Sequence, residues 1–249
     1  MTPPDPYSFS FEPLFLALGT VAAVLYARAS ASAGLSRRHV ALFALGLVLI
    51  AAALNSPVET LAAHYLVLVH LLQNVMIADW APPLLILGLT PQLRAAVARN
   101  GGRALALATR PRIALPVWLV GWYAIHLAGF YDLALRNPWL LNLEHAALIA
   151  IGLLFWWPIL SDEPQAMAVP LKLGYLAAAF VLSAFLGLAL TFSPTPFYDF
   201  YEQAPRIWGL SPAEDQNLGG VLMTAEQSLV FLVAIGYFAL RLVPDEETR

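Results

Sequence analysis

The chain has 249 residues, of which 60% are hydrophobic and only 12% charged, and its formal net charge is −3. Soluble domains carry about 25% charged residues, so this balance excludes an ordinary soluble domain and indicates a polytopic membrane protein. There is no cysteine, which excludes disulfides, thiolate metal sites and cysteine nucleophiles and leaves imidazole, thioether or carboxylate to hold a soft metal.

The opening residues, MTPPDPYSFSFEP, lack a positive region and a small-residue cleavage site, so they do not read as a signal peptide. Seven apolar segments come after them, at about 11–28, 39–54, 60–89, 113–131, 139–160, 172–193 and 217–241. Each is near the roughly 20 residues that cross a hydrocarbon core of about 30 Å. The expectation is an all-α bundle of seven transmembrane helices forming one domain over 1–249. The third segment is overlong, and Ala81-Pro82-Pro83 is expected to kink it or end its regular part.

Lys and Arg set the orientation. With the N-terminus outside and the C-terminus in the cytosol, eleven of the thirteen basic residues fall on the cytosolic side, leaving Arg136 and Arg206 outside. The cytosolic loop 90–112 opens with Thr90-Pro91, a good N-cap and first helical residue. It continues as basic, amphipathic LRAAVAR and breaks at Asn100-Gly101-Gly102, which suits a short helix lying on the anionic leaflet. In the outer loop 194–216 the aromatics suit the headgroup level. Ser211-Pro212 with Glu214-Asp215 reads as an N-cap and acidic first turn leading into the last helix.

Against this apolar background the polar groups of the third segment stand out. His70 lies three and four residues before Gln73 and Asn74, so the three share a helical face. His64 sits about 120° from His70 around a regular helix and roughly 9 Å higher. Measured at 1.5 Å per residue, His64, His126, His145 and Met223 fall about 6–10 Å below the outer surface. His70, Gln73, Asn74 and Glu226 fall at roughly 14–21 Å. Ionisable groups at such depths face a protein interior or a cavity by default. The bland reading for any single histidine is an interhelical hydrogen bond. Four of them in one half of the bilayer, with a methionine and carboxylates at matching depth, point instead to a metal or haem role for the set. Met223 taken alone reads as packing. Glu226 is open between a structural carboxyl and a proton carrier or partner of a ligand. His39 reads as an interfacial flank, and Asp79, beside Trp80, as a cap or interfacial residue.

Several long blocks are similar to one known family. Asn55-Ser-Pro-Val, HYLVLVHLLQN, APPLLILG, FYDLALRNPWL, EHAALIAIGLLFWWPIL and WGLSPAEDQNLGGVLM occur here in order. Together they resemble the CtaG family of polytopic cytochrome c oxidase assembly proteins, associated with caa-type oxidases. The resemblance implies a multi-pass protein of the bacterial plasma membrane that matures a haem–copper oxidase by handling copper on the outer side. It places the family's polar positions on His64, His70, Gln73, His126, His145, Asp215, Gln216 and Met223. One position departs: relatives read H-x-x-Q-H in the third helix, and this chain has Asn74 in place of the second histidine. An amide carbonyl is a poor copper ligand beside an imidazole.

The leading expectation is therefore a copper-binding assembly factor without catalytic turnover. Its metal would be held by His64, His70, His126, His145 and Met223, with Cu(I) favoured because imidazole and thioether suit it. Gln73, Asn74, Glu144, Asp215, Gln216 and Glu226 would support those ligands. The expected partners are membrane lipid and haem–copper oxidase subunits or another copper carrier, not nucleic acid, and a homodimer stays open. A haem-binding redox protein with His70 paired to His126 or His145 is the alternative. A solute or proton transporter using Glu226 is another, although no inverted repeat is visible. G-x-S-x-G, H-E-x-x-H and P-loop motifs are absent, so no hydrolase chemistry is indicated.

Overall fold

The structure, a computed structural model, describes residues 3–30 and 34–242. Among them every regular element is helical. In chain order these are α1 (Pro13–Ser30), α2 (Arg37–Leu54), α3 (Pro57–His64), α4 (Val67–Val75), a π-helical turn (Met76–Trp80), α5 (Ala81–Gly88) and α6 (Pro91–Ala108). They continue with α7 (Pro111–Ile125), α8 (Ala128–Arg136), α9 (Pro138–Leu160), α10 (Val169–Phe192), α11 (Asp199–Gln203) and α12 (Pro212–Leu240). Five helical runs are long and apolar enough to cross a membrane: Arg37–Leu54, Val67–Gly88, Pro138–Leu160, Val169–Phe192 and Pro212–Leu240. The pair α7 and α8, bent by 68°, makes a sixth if counted as one span. The apolar stretch Pro13–Ala29 is shorter than these. The count of seven is thus reached only by adding α1 and the bent pair.

The third segment departs most from the sequence expectation. It is not one kinked helix but three helical pieces joined by a break and a π turn. Ser56 caps α3, accepting a hydrogen bond from the Val58 amide at 3.1 Å, and Pro57 fits the first turn. The helix stops at His64, and Leu66 is extended, with φ −134° and ψ 121°. No glycine or proline marks this stop. A restart buried within the bundle leaves free N–H groups that no water reaches, and each needs an acceptor. Asp215 of α12 serves two of them: its carboxylate oxygens accept from the Val67 amide at 3.1 Å and the Leu68 amide at 2.9 Å.

Farther along, Pro82 and Pro83 cannot donate to the carbonyls of residues 78 and 79. The backbone widens into the π turn just ahead of them and then continues as α5, so the prolines neither end the helix nor kink it sharply. Gly152 of α9 packs at this turn, where a Cβ would stand 2.3 Å from the Ala78 carbonyl oxygen.

The second interruption lies between α7 and α8, at His126-Leu127. The Tyr198 hydroxyl donates to the His126 carbonyl across it at 3.2 Å. In the loop 90–112 the helix expected after Thr90 forms, with Thr90 accepting from the Leu93 amide at 3.3 Å. It bends at Gly102, which adopts φ 54°, and resumes to Ala108. Helix α12 begins five residues earlier than its apolar stretch, on the capping box of Ser211 and Glu214 expected from the sequence.

The core has two ends. One, rich in basic side chains at its surface, is filled by Trp118, Phe155, Trp156 and Phe231. The other, arginine-poor, gathers Trp122, Tyr131, Tyr198, Tyr201, Leu71 and Met223. Tyr198 and Tyr201 are both about 1% exposed, so these loop aromatics belong to the core, whereas Phe197 and Trp208 are exposed.

Because the Asp215 carboxylate closes the restart of α4, Asp215→Ala should destabilise the protein by about 1–2 kcal/mol, as loss of a helix cap does. The expected readout is a lower midpoint of thermal unfolding in detergent, with Asp215→Asn falling less than Asp215→Ala.

Candidate metal-ligating site

Helical interruptions bring a set of side chains together at the arginine-poor end. Helix α4 contributes His70, α9 contributes Glu144 and His145, the C-terminal cap of α7 is His126, α8 contributes Tyr131, and α11 contributes Tyr201. All are buried; His70 and Glu144 are fully so. The rings of His70 and His145 are 6.0 Å apart, those of His70 and Tyr131 4.7 Å, and those of His126 and Tyr131 5.8 Å. The His70 Nε2 atom stands 3.5 Å from Glu144 Oε1. His70, read from regular helices as a layer deeper than His126 and His145, therefore joins one cluster with them.

Hydrogen bonding fixes two tautomers. Tyr201 has a single hydroxyl hydrogen, which it donates to the Ala62 carbonyl. Its oxygen, 2.9 Å from His70 Nδ1, must then accept, so His70 carries a proton on Nδ1, and the neutral ring leaves Nε2 a lone pair. His126 Nδ1 lies 2.7 Å from the Trp122 carbonyl, which can only accept, and so Nε2 of His126 is likewise a lone pair.

No hydrogen bond from the protein meets His70 Nε2, His126 Nε2, either nitrogen of His145, either oxygen of Glu144 or the Tyr131 hydroxyl. Buried polar atoms are normally paired, and leaving one unpaired costs about 1–3 kcal/mol. Such a concentration in one place is what a site for a ligand looks like before the ligand arrives. Among the described residues, no three His, Asp or Glu side chains already stand in metal-holding geometry.

The model of the cytochrome c oxidase caa3 assembly factor family matches residues 18–244. The chain belongs to this family. Uncharacterized proteins of Mycobacterium bovis and Mycobacterium tuberculosis are each 25% identical to it over 187 residues, and one of Mycobacterium leprae is 24% identical. The match covers 67% of this chain but 28% of the mycobacterial proteins, so the family member described here spans little more than a quarter of their length. No solved structure matches the chain.

The other polar positions of the family resemblance have separate places. His64, half-buried, lines a cavity with Glu12, Glu59 and Asn142 and does not join the other histidines. The break after His64 is the reason, since a continuous helix would have set its depth differently. Met223 is fully buried in the core that surrounds the cluster. Gln73 donates to the Ala53 carbonyl at 2.8 Å and to Glu59. Asn74 is fully buried with both amide atoms unpartnered. Asp215 is a cap, and Gln216 accepts from the Phe197 amide at 2.6 Å, tying down the loop 194–216. Glu226 is only half-buried, on the same helix as Gln227.

Several residues of the site are not evident from the sequence. Glu59 looks like an ordinary acidic first turn of α3, yet it is 4% exposed. Tyr131 and Tyr201 sit in aromatic stretches with no period to mark them. Asp79 is fully buried and caps no helix end, with Gln227 donating to it at 3.1 Å. The π turn explains this, since an extra residue in the turn rotates the downstream side chains relative to a regular helix.

If the free atoms of the cluster have no structural partners, an apolar side chain of similar volume should be tolerated there. His145→Leu is expected to keep or raise the thermal midpoint of the metal-free protein, by the equivalent of about 1–3 kcal/mol. A fall would show that the ring is held by a bond within the bundle.

Proposed function

We propose that this caa3 assembly factor holds a copper ion as Cu(I) between His70, His126 and His145, with Glu144 beside them, and passes it to the oxidase during maturation. The observation that carries the reading is the pair of fixed tautomers: His70 and His126 each spend Nδ1–H on a protein acceptor and keep an unused Nε2 lone pair within a buried cluster. A ligating histidine is normally oriented in this way, by a hydrogen bond from its other nitrogen. The Tyr201 hydroxyl and the Trp122 carbonyl are those acceptors.

The spacing of His70 and His145 fits a shared ion. An imidazole ring centre stands about 3 Å from a metal bound through one of its nitrogens, so two rings sharing an ion lie within about 6 Å of each other. The rings of His70 and His145 are 6.0 Å apart. Neutral imidazoles with a single carboxylate hold a monovalent ion with little net charge left in low dielectric. Thiols being absent, the ion stays exchangeable, which suits delivery more than storage. Met223 is a thioether within the same core, available to a soft ion during exchange. Asn74 does not enter this ligand set, so the departure from the family's second histidine leaves the set intact. The role is stoichiometric binding and not turnover. The excess of Arg and Lys at the opposite end supports an outer-half position for the cluster in a bacterial plasma membrane, N-terminus outside and C-terminus in the cytosol. That is the side from which an oxidase subunit or another copper carrier would exchange the ion.

Purified under reducing conditions in detergent, the protein is expected to bind one Cu(I) per chain, released by a competing Cu(I) chelator. His70→Ala should abolish this stoichiometric binding, and cells making only that variant should lose caa3 oxidase activity, whereas His39→Ala should behave as wild type. Absence of copper from the wild-type protein, or intact oxidase maturation with His70→Ala, would overturn the reading; a Soret band in the preparation would replace it with haem. Tyr201→Phe keeps every proposed ligand and removes the hydroxyl that orients His70, along with its bond to the Ala62 carbonyl. It should weaken copper binding by roughly 10–100-fold in a chelator competition.

A further inference from the structure

A second polar cavity lies at the arginine-poor end, about 220 Å³ in volume. Its walls include Glu12, Glu59, Thr60, His64 and Asn142. The N-terminal segment forms one side and is tied in place: Thr60 donates to the Ser8 carbonyl at 2.8 Å, Ser10 to the Leu54 carbonyl at 3.2 Å, and the Glu12 amide to Asn55 at 2.7 Å. None of the ion pairs among the described residues involves Glu12 or Glu59. Glu59 is 4% exposed, and its Oε2 takes the Gln73 hydrogen bond. Two carboxylates without a cation, one of them nearly buried, face an imidazole across a space large enough for a partly hydrated ion.

Three elements carry the cavity wall directly into the histidine cluster. On α9, Asn142 lies three residues before His145, about 4.5 Å along the axis. Glu12 lies three residues before Phe15, whose ring stands 6.1 Å from that of His145. Glu59 reaches Gln73, which lies one helical turn beyond His70 on α4. Phe15, 5% exposed, lines a separate apolar pocket and sets its ring edge-on to that of His145.

We propose that the cavity bounded by Glu12, Glu59 and His64 is an admission chamber for a metal cation, separated by Phe15 from the buried histidines it feeds. The inference rests on the copper reading and deepens it, assigning His64 to passage and not to the final ligand set. The carboxylates attract a cation from the outer solution, as a cleft lined by one sign of charge does. His64 offers it a first nitrogen as water is shed, and displacement of Phe15 lets it exchange onto His145. Each step trades one neutral or anionic donor for another, so no redox partner is required.

The test is the rate of loading. Full-length protein in detergent is mixed rapidly with Ag(I), a redox-inert stand-in for Cu(I), and tryptophan fluorescence is monitored. Trp122, whose ring centre lies 4.8 Å from that of His126, reports occupancy of the buried cluster. The metal bound at completion is measured separately. Glu12→Gln and His64→Gln should each slow loading, together by roughly tenfold or more, with final stoichiometry unchanged. Phe15→Ala should speed both loading and release by chelator. Unchanged rates at full stoichiometry would overturn the chamber while leaving the copper site standing. Loss of the bound ion in His64→Gln would make His64 a ligand and overturn the passage. Failure of wild-type protein to take up either Ag(I) or Cu(I) would overturn the copper reading and the chamber with it.

Discussion

The structure depends on satisfying backbone groups where helices stop inside the bundle. A continuous helix satisfies its own N–H and C=O groups in apolar surroundings, and a broken one cannot. This chain breaks twice near the histidines, and in both places the repair comes from the long loop 194–216 and the start of α12. Asp215 accepts from the Val67 and Leu68 amides, Arg206 donates to the Tyr65 carbonyl at 2.9 Å, and Tyr198 donates to the carbonyl of His126. Tyr201 donates to the Ala62 carbonyl from the same loop. The loop is thus an internal part of the bundle, stitched to both interruptions, and the positions of His70 and His126 depend on it.

A contrast within the polar groups gives the site its meaning. Asp215, Gln216 and Gln73 are buried and hydrogen-bonded, and each does a definable structural task. His145 and Glu144 are buried just as deeply with no hydrogen-bond partner for any side-chain nitrogen or oxygen. Between these extremes, His70 and His126 are held at one nitrogen and free at the other. Structural polar groups in a low-dielectric interior are driven to complete satisfaction, because the alternative costs more there than in water. A cluster left half-satisfied is stable only because the surrounding packing holds it, and it gains most from an incoming ligand. The family's role in oxidase assembly gives such a cluster a natural use.

The helical arithmetic of the sequence went some way toward this arrangement. The shared face of His70 and Gln73, the similar depths of His126 and His145, and the capping box of α12 all come from regular helical spacing and local chemistry. His64 and Asp79 are where that arithmetic stops applying. Tyr65-Leu66 ends a helix with neither glycine nor proline, so no local signal announces the break. The π turn changes the angular count for every later residue of that span, which turns Asp79 into the core. Tyr198 and Tyr201 carried no period, and their hydroxyl acceptors are carbonyls on other elements.

What the amino-acid sequence determined by itself is the membrane character, the helical class, the absence of thiol chemistry and the family. Each of these rests on composition or on contiguous blocks of residues, and contiguous information survives without coordinates. The tertiary structure alone decided which histidines meet, which nitrogen of each is free, and that Glu59, Tyr131 and Tyr201 belong beside them. Those facts depend on helix breaks closed by residues distant in the chain, and on hydrogen-bond partners that a one-dimensional pattern cannot pair.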